Sequence, residues 1–181
     1  MHGTESPSSW VQRWSHLIPA SSQVLDLACG GGRHMQWLAS QGHACLGVDR
    51  SEQALATAEV WGQTLLADIE NGPWPLPDKQ FGAVVVTHYL WRPLWPQILA
   101  AVQAGGVLLY ETFAQGHETV GRPSRADFLL TPGELLQVAA QGGLRVIAYE
   151  DGFLNQPDRF VQRLAAVRET SAAPAARWPL A

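Results

Sequence analysis

The sequence predicts an α/β fold with a mostly parallel, seven-stranded sheet that helices cover on both faces. Short apolar runs alternate along the chain with segments whose apolar residues recur at helical spacing. The last two predicted strands have no helix between them, so we expect the final strand to be antiparallel to its neighbours. Sheets of this kind bind ligands at the carboxyl ends of their strands.

Length and composition favour one domain with a substantial core. The chain has 181 residues, of which 46% are hydrophobic. We expect this domain to cover residues 1–169 and the Ala/Pro-rich tail 170–181 to be disordered. The formal net charge of −4 argues against a nucleic-acid partner. Two cysteines predict neither a disulfide framework nor a metal site.

The expected location is the cytoplasm. The first ten residues, MHGTESPSSW, lack the basic segment and apolar core of a secretory signal. No apolar run approaches the roughly 20 residues that a membrane helix needs. We therefore expect a small-molecule partner and no membrane association, and the sequence leaves the oligomeric state open.

The first half of the chain reads as helix and strand units. Pro19 ends the first helix, Gly42 closes the second and Ser51 caps the third. The predicted elements are a helix at about 8–18, a strand at 23–29, a helix at 32–41, a strand at 44–49, a helix at 52–60 and a strand at 63–67.

The second half begins with FGAVVVT, whose valines favour a buried strand. Gly105 and Gly106 are expected to end the following helix, and Thr131–Glu134 reads as a capping box with proline at the first helical position. The long segment 114–130 is expected to be an irregular connection, either a functional lid or disordered. The predicted elements are a strand at 81–87, a helix at about 94–103, a strand at 107–113, a helix at 132–141 and strands at about 144–151 and 159–168.

The segment Val24–His34, VLDLACGGGRH, reads as strand, glycine turn and helix. Such a turn directs helix N-terminal amides toward a ligand, and glycine permits close approach to the backbone. A phosphate-binding P-loop requires a lysine after the glycines, which is missing here. A dinucleotide-binding turn requires a third glycine, where this chain has Met35. That departure disfavours NAD without excluding it.

The residues Asp26–Gly32, DLACGGG, resemble the class I S-adenosylmethionine-dependent methyltransferases, whose motif is an acidic residue followed by G-x-G-x-G. Ala28 replaces the first glycine, and Gly82 stands where the family usually has aspartate. The resemblance spans about residues 22–168, and its specific part is 24–113. The CGGGRH turn and the FLLTPGELL segment are most similar to small bacterial proteins related to the tellurite-resistance methyltransferase. The resemblance implies a Rossmann-like fold and S-adenosylmethionine as cofactor.

Acidic residues at two further strand ends support this cofactor. Asp49 lies nineteen positions after Gly30, where a carboxylate can accept hydrogen bonds from both ribose hydroxyls. The resemblance implies that Asp68 faces the adenine amino group and that Ile69 packs on the ring, although an aspartate at a strand end is also a common helix cap. The predicted cofactor residues are Asp26, Ala28, Gly30, Gly32, Arg33, Asp49, Arg50, Asp68, Ile69 and Thr87.

The implied chemistry is direct methyl displacement on a small molecule. His88, above the fourth strand, and Glu111, above the fifth, are the candidate catalytic residues. No metal is expected. The candidate substrate residues are Tyr89, Trp91, Trp95, Phe113, Arg122 and Phe128. Two alternatives stay open: a non-catalytic S-adenosylmethionine-binding scaffold, and an NAD(P)-dependent oxidoreductase.

Overall fold

Seven strands form one sheet in the order β3-β2-β1-β4-β5-β7-β6. The computed structural model describes residues 6–170 and 177–180. The strands are β1 Gln23–Leu27, β2 Ala44–Asp49, β3 Gln63–Leu66, β4 Phe81–Thr87, β5 Val102–Phe113, β6 Arg145–Leu154 and β7 Arg159–Val167. The helices are α1 Ser9–Trp14, α2 Arg33–Ser40, α3 Glu52–Ala58, α4 Trp95–Ala100 and α5 Glu134–Gln141.

The strand directions confirm the predicted fold class. Neighbours among β1 to β5 pair in parallel, whereas β7 runs antiparallel to both β5 and β6. The strand order reverses between β1 and β4, which lie side by side. A crevice forms at such a point outside the carboxyl ends of the strands, which we call the carboxyl edge.

Alternate residues of the strands supply two apolar layers. On β4, Val84 and Val86 join a cluster that contains the buried residues of α4 and α5, and Val85 joins a second cluster with α1, α2 and α3. Helix α1 contributes Trp10 and Trp14, each 2% exposed. No helix in the described part of the chain is both long and apolar enough to span a membrane.

Both chain ends differ in detail from the prediction. The first helix is shorter than 8–18, because α1 ends at Trp14 and a 3₁₀ turn follows over Ser15–Leu17. Residues 171–176 and 181 of the predicted disordered tail lie outside the described residues. Trp178 packs against the α1 side of the core, and the Pro179 carbonyl lies 3.0 Å from His16 Nε2. These contacts differ from the disorder expected for the tail.

The prediction for the helix before β5 was wrong at its end. Helix α4 stops at Ala100, and β5 already begins at Val102, which pairs with Phe81. Gly105 and Gly106 lie inside β5 rather than ending a helix. A Cβ on Gly106 would lie 3.0 Å from the carbonyl oxygens of Phe81 and Gly82, so a side chain there would push against the backbone where the ladder is irregular.

The structure also explains Gly82, the departure from the family pattern. A Cβ at this position would lie 1.9 Å from Ser22 Oγ and 2.3 Å from Ser22 Cβ. The Ser22 hydroxyl donates a hydrogen bond to the Pro19 carbonyl at 2.6 Å, which fixes the loop before β1. Gly82 is therefore required by the close approach of this loop.

Helix α5 begins two residues later than predicted. Gly133 adopts a left-handed conformation as the N-cap residue, so Pro132 precedes the helix. The Glu134 carboxylate accepts hydrogen bonds from the Thr131 backbone amide and hydroxyl at 2.9 and 3.0 Å. Only half of the predicted reciprocal capping box forms, because the threonine hydroxyl donates to Glu134 instead of accepting from the helix.

Candidate functional site

The turn after β1 leaves open space above its backbone. Ala28, Gly30 and Gly32 have φ values of 56°, 54° and 79°. A Cβ on Gly30 would have no atom within 4 Å, so a ligand can approach the backbone there. A Cβ on Gly32 would lie 2.9 Å from the Ala58 Cβ, so this glycine instead permits close packing of the turn on α3.

The Asp49 carboxylate joins the end of β2 to this turn. Its Oδ2 accepts a hydrogen bond from the Gly30 amide at 2.9 Å, and its Oδ1 accepts one from the Ser51 amide at 2.8 Å. A carboxylate offers about four acceptor positions in all. Asp49 therefore retains the capacity to accept hydrogen bonds from a ligand.

Asp26 is buried beneath the turn, at 1% exposure. Its Oδ2 has no hydrogen-bond partner among residues 6–170 and 177–180. Burial is the largest influence on this carboxyl group and raises its pKa to about 7. A buried carboxylate oxygen without a donor is costly, and a cationic ligand group would relieve this cost.

His34 connects the N-terminal segment to this buried region. The Ser8 amide donates to His34 Nε2 at 3.2 Å, so the ring proton resides on Nδ1. Nδ1 lies 3.4 Å from Thr87 Oγ1 and 3.9 Å from Asp26 Oδ2. Burial lowers the pKa of His34 to about 3, so the ring is neutral and forms no ion pair with Asp26.

Asp68 organises the turn that follows β3. Its Oδ1 accepts from the amides of Glu70 and Asn71, and its Oδ2 accepts from the Asn71 side chain at 2.9 Å. The hydrogen bond from the Asn71 side chain is the main reason that the pKa of this exposed carboxyl is lowered. Next to it, Ile69 is 7% exposed. The capping role considered for Asp68 is thus present, together with an apolar neighbour.

Three cavities lie in a row along the carboxyl edge. The small cavity, about 120 Å³, is lined by Ala28, Asp49, Arg50, Ala67, Asp68, Ile69, Glu70 and Tyr89. The middle cavity, about 290 Å³, shares Glu70 and Tyr89 with the small one. The large cavity, about 690 Å³, shares His88 and Phe113 with the middle one. The row therefore extends from the ends of β2 and β3 to the end of β5.

Three stacked rings form one wall of the large cavity. The His88 and Phe113 centroids are 5.0 Å apart at 25°, and the Phe113 and His117 centroids are 4.2 Å apart at 20°. His88 has a positive φ of 52°, its amide donates to the Glu111 carbonyl, and Arg33 Nη2 lies 3.3 Å from its Nδ1. The end of β4 is therefore tied to both β5 and α2.

Glu111 lies at 1% exposure in the large cavity wall. Its Oε2 is 3.5 Å from Arg163 Nη1, and Arg163 also pairs with Glu150. The Arg163 guanidinium stands over the Trp10 ring at 5.1 Å. Glu111 is therefore part of an ion-pair network that fastens α1 to β5 and β7.

Comparisons with known proteins agree with this geometry. Residues 24–105 match the family described as a methyltransferase domain. TehB from Haemophilus influenzae is 21% identical, with a TM-score of 0.69 over 92% of this chain and 63% of that chain. A SAM-dependent methyltransferase from Methanosarcina mazei is 13% identical, with a TM-score of 0.70 over 92% of this chain and 100% of that one. No curated protein matches the chain significantly.

The chain has the fold of the S-adenosylmethionine-dependent methyltransferases. A third structure shares the fold: the glycopeptide N-methyltransferase MtfA complexed with S-adenosylmethionine, at 18% identity and a TM-score of 0.63 over 91% of this chain and 96% of that one. Because this chain spans 63% of the TehB chain, its activity and substrate are treated below as proposals.

The fold brings half of the ten predicted cofactor residues together in one cavity. Ala28, Asp49, Arg50, Asp68 and Ile69 line the small cavity. Other members of the predicted set lie elsewhere: Gly30 on the open side of the turn, Gly32 under α3, Asp26 and Thr87 in the buried region and Arg33 in the large cavity.

The predicted substrate residues fall into separate groups. Phe113 and Arg122 line the large cavity with the candidate catalytic residues His88 and Glu111. Tyr89 and Phe128 line the middle cavity.

Trp91 and Trp95 lie apart from these residues. Trp95 lines another cavity beside Arg92 and Glu134, and its ring packs on Tyr110 at 5.2 Å. Trp91 packs against the apolar core.

Sequence reasoning missed four features of the candidate site: the segment Ser6–Ser9, His34, His117 and Arg159. His34 had a detectable signal, because it precedes the buried Leu38 by four residues and so shares its helix face. His117 and Arg159 reach the large cavity through the loop after β5 and the hairpin between β6 and β7. Their positions depend on tertiary contacts and leave no local pattern.

Proposed function

We propose that the protein is an S-adenosylmethionine-dependent methyltransferase that acts on a small molecule and that residues 1–169 form its single domain. The row of three cavities carries this proposal. Carboxylates line one end of the row, and an arginine-bearing cavity of about 690 Å³ lies at the other. That volume is within the usual range for small-molecule sites. The resemblance to small bacterial proteins favours action in a bacterial cytoplasm.

The residues present fit the cofactor at each part of its length. Asp49 would accept hydrogen bonds from the ribose, and Asp68 and Ile69 would hold the adenine, with Arg50 and Tyr89 beside them in the small cavity. The buried, unpartnered Oδ2 of Asp26 would face the amino group of the methionine moiety.

Arg33, in the wall of the large cavity, would bind the carboxylate of that moiety, and the open side of Gly30 would leave room for the methionine chain. Thr87 would act indirectly, through its contact with His34 beneath the turn. Ala28 lines the small cavity, whereas Gly32 contributes through close packing on α3.

When bound, S-adenosylmethionine supplies an activated methyl group on a sulfonium centre. The chain's contribution is to position the acceptor and to exclude water. His88 and Phe113 line both the middle and the large cavity, so they separate the cofactor end from the acceptor end.

His88 is the candidate base for an acceptor that carries a proton, because it lies at this junction. Glu111 is buried and paired with Arg163, which favours a positioning role over proton transfer. Of the other predicted substrate residues, Tyr89 and Phe128 would enclose the middle cavity, whereas Trp91 and Trp95 pack against the core and line neither the middle nor the large cavity.

Met35 disfavours a dinucleotide in the same turn. It is fully buried, and its Sδ lies 2.5 Å from where a Cβ on Gly47 would be. Met35 thus fills the space between α2 and β2, where a dinucleotide-binding fold has a glycine for close packing.

Thermal denaturation with S-adenosylhomocysteine or NADH tests the cofactor assignment. At about 100 times its dissociation constant, a ligand stabilises a fold by roughly 2.7 kcal/mol, which for a domain of this size raises Tm by about 5–10 °C. We expect this rise with S-adenosylhomocysteine and none with NADH, and the reverse result would refute the proposal. A scan of small acceptors for S-adenosylhomocysteine production then tests catalysis, and binding without turnover on any acceptor would favour the scaffold.

A further inference from the structure

The large cavity is lined by an exposed arginine, Arg122, and by Arg159, whose Nε is buried. Its charged lining residues are Arg33, Arg122, Arg159, Glu111 and Asp158. Glu111 is compensated by Arg163. Among residues 6–170 and 177–180, neither Arg122 nor Arg159 forms an ion pair. Asp158 offsets one of these two arginine charges, and a negatively charged ligand would balance the other.

The Arg159 guanidinium also has a nitrogen without a hydrogen-bond acceptor among the described residues. Its Nε is buried and has no hydrogen-bond partner in the described part of the chain. A buried donor without an acceptor is uncommon in a folded protein. Guanidinium groups bind carboxylates with two parallel hydrogen bonds, which can include Nε and one terminal nitrogen. A ligand carboxylate is the group that this geometry would accept.

The aromatic wall defines the rest of the ligand. His88, Phe113 and His117 stack over one another, and all three line the same cavity as the two arginines. Flat π-systems favour offset-stacked or edge-to-face contact with another ring. The wall therefore suits a planar ring better than a flexible aliphatic chain.

We propose that the acceptor substrate is a small planar aromatic carboxylic acid. Arg159 and Arg122 bind its carboxylate, and its ring lies against the His88–Phe113–His117 stack. This inference rests on the proposed function, since it names the class of molecule that receives the methyl group.

Isothermal titration calorimetry with 4-hydroxybenzoate tests the inference directly. Three comparison compounds are titrated as well. The neutral 4-hydroxybenzamide lacks the negative charge, cyclohexanecarboxylate lacks the aromatic ring, and sulfate tests for binding of any oxyanion. We expect 4-hydroxybenzoate to bind at least tenfold more tightly than each of the three. Equal affinity for the amide would overturn carboxylate recognition, equal affinity for cyclohexanecarboxylate would overturn ring recognition, and equal affinity for sulfate would assign a site for inorganic anions.

Arginine variants locate the site. Arg159→Gln and Arg122→Gln each remove one charged donor and should weaken 4-hydroxybenzoate binding about tenfold or more. Arg145→Gln is the matched control, because Arg145 is exposed on β6 and pairs with Glu169 away from the cavity. Unchanged binding in both cavity variants, or an equal loss in the control, would refute the assignment.

Each titration is run with and without S-adenosylhomocysteine. Absence of S-adenosylhomocysteine binding would refute the proposed function, whereas the acid titration of the protein alone still decides whether the cavity recognises an aromatic carboxylate. A circular dichroism melt of each variant separates loss of the fold from loss of the site.

Discussion

Replacement of Asp26 by asparagine should stabilise the protein and weaken the proposed cofactor site. Burial raises the pKa of Asp26 from 3.8 to about 7. Between these two values the folded chain binds more protons than the unfolded chain, so this residue makes the free energy of unfolding fall as pH rises from about 4 to about 7. The shift of about 3 units, at 1.36 kcal/mol per unit, corresponds to a destabilisation of about 4 kcal/mol above pH 7.

Asp26→Asn removes this charge. The new amide also adds a donor to the buried region, so we expect a net stabilisation of about 2–4 kcal/mol near pH 8 and little difference near pH 4. Urea denaturation of the wild type and of Asp26→Asn at both pH values measures this difference in the free energy of unfolding. The control is Asp78→Asn, because Asp78 is exposed in the connection before β4. Parallel stability curves for the wild type and Asp26→Asn from about pH 4 to about pH 8 would refute the reasoning.

The same change should reduce S-adenosylhomocysteine affinity at least tenfold, because the ligand ammonium loses its buried counter-charge. In the wild type this ammonium favours ionised Asp26, so affinity should fall below about pH 7 by up to tenfold per pH unit. Calorimetric titrations across this range measure the effect. A variant that is more stable and binds the ligand unchanged would place the ligand elsewhere.

Three further substitutions probe the turn and the sheet. Asp49→Ala should abolish the S-adenosylhomocysteine thermal shift, because the carboxylate that bonds the Gly30 amide is lost. Gly30→Ala should lower the free energy of unfolding by about 1–2 kcal/mol because of its positive φ, and it should also weaken ligand binding. Gly133→Ala is the control: its φ is +75° and a Cβ there also has no atom within 4 Å, so it should show the same loss of stability with ligand binding unchanged. Gly82→Ala should destabilise by about 1–3 kcal/mol in chemical denaturation, and adding Ser22→Gly should recover most of this loss because it removes the clashing atoms.

Helices and strands that have a clear local sequence pattern were predictable, whereas the residues at which they end were harder to predict. The strands Ala44–Asp49 and Phe81–Thr87 match their predicted bounds because a buried parallel strand is a short apolar run between turn signals. The helix before β5 was predicted too long, since Val102 pairs with Phe81 and this distant pairing outweighs helical spacing. The glycine at position 82 is explained only by the tertiary structure, which brings Ser22 against it.

The sequence alone determined the fold class, the order of its strands and helices, the glycine turn and the acidic residues at the strand ends. These follow from periodicity and from turn chemistry within about 30 residues of chain. The tertiary structure decided which side chains share a cavity. It paired Glu111 with Arg163, placed Trp95 away from the large cavity, and brought His117 and Arg159 to its wall. Such contacts join residues far apart in the chain, and no local spacing encodes them.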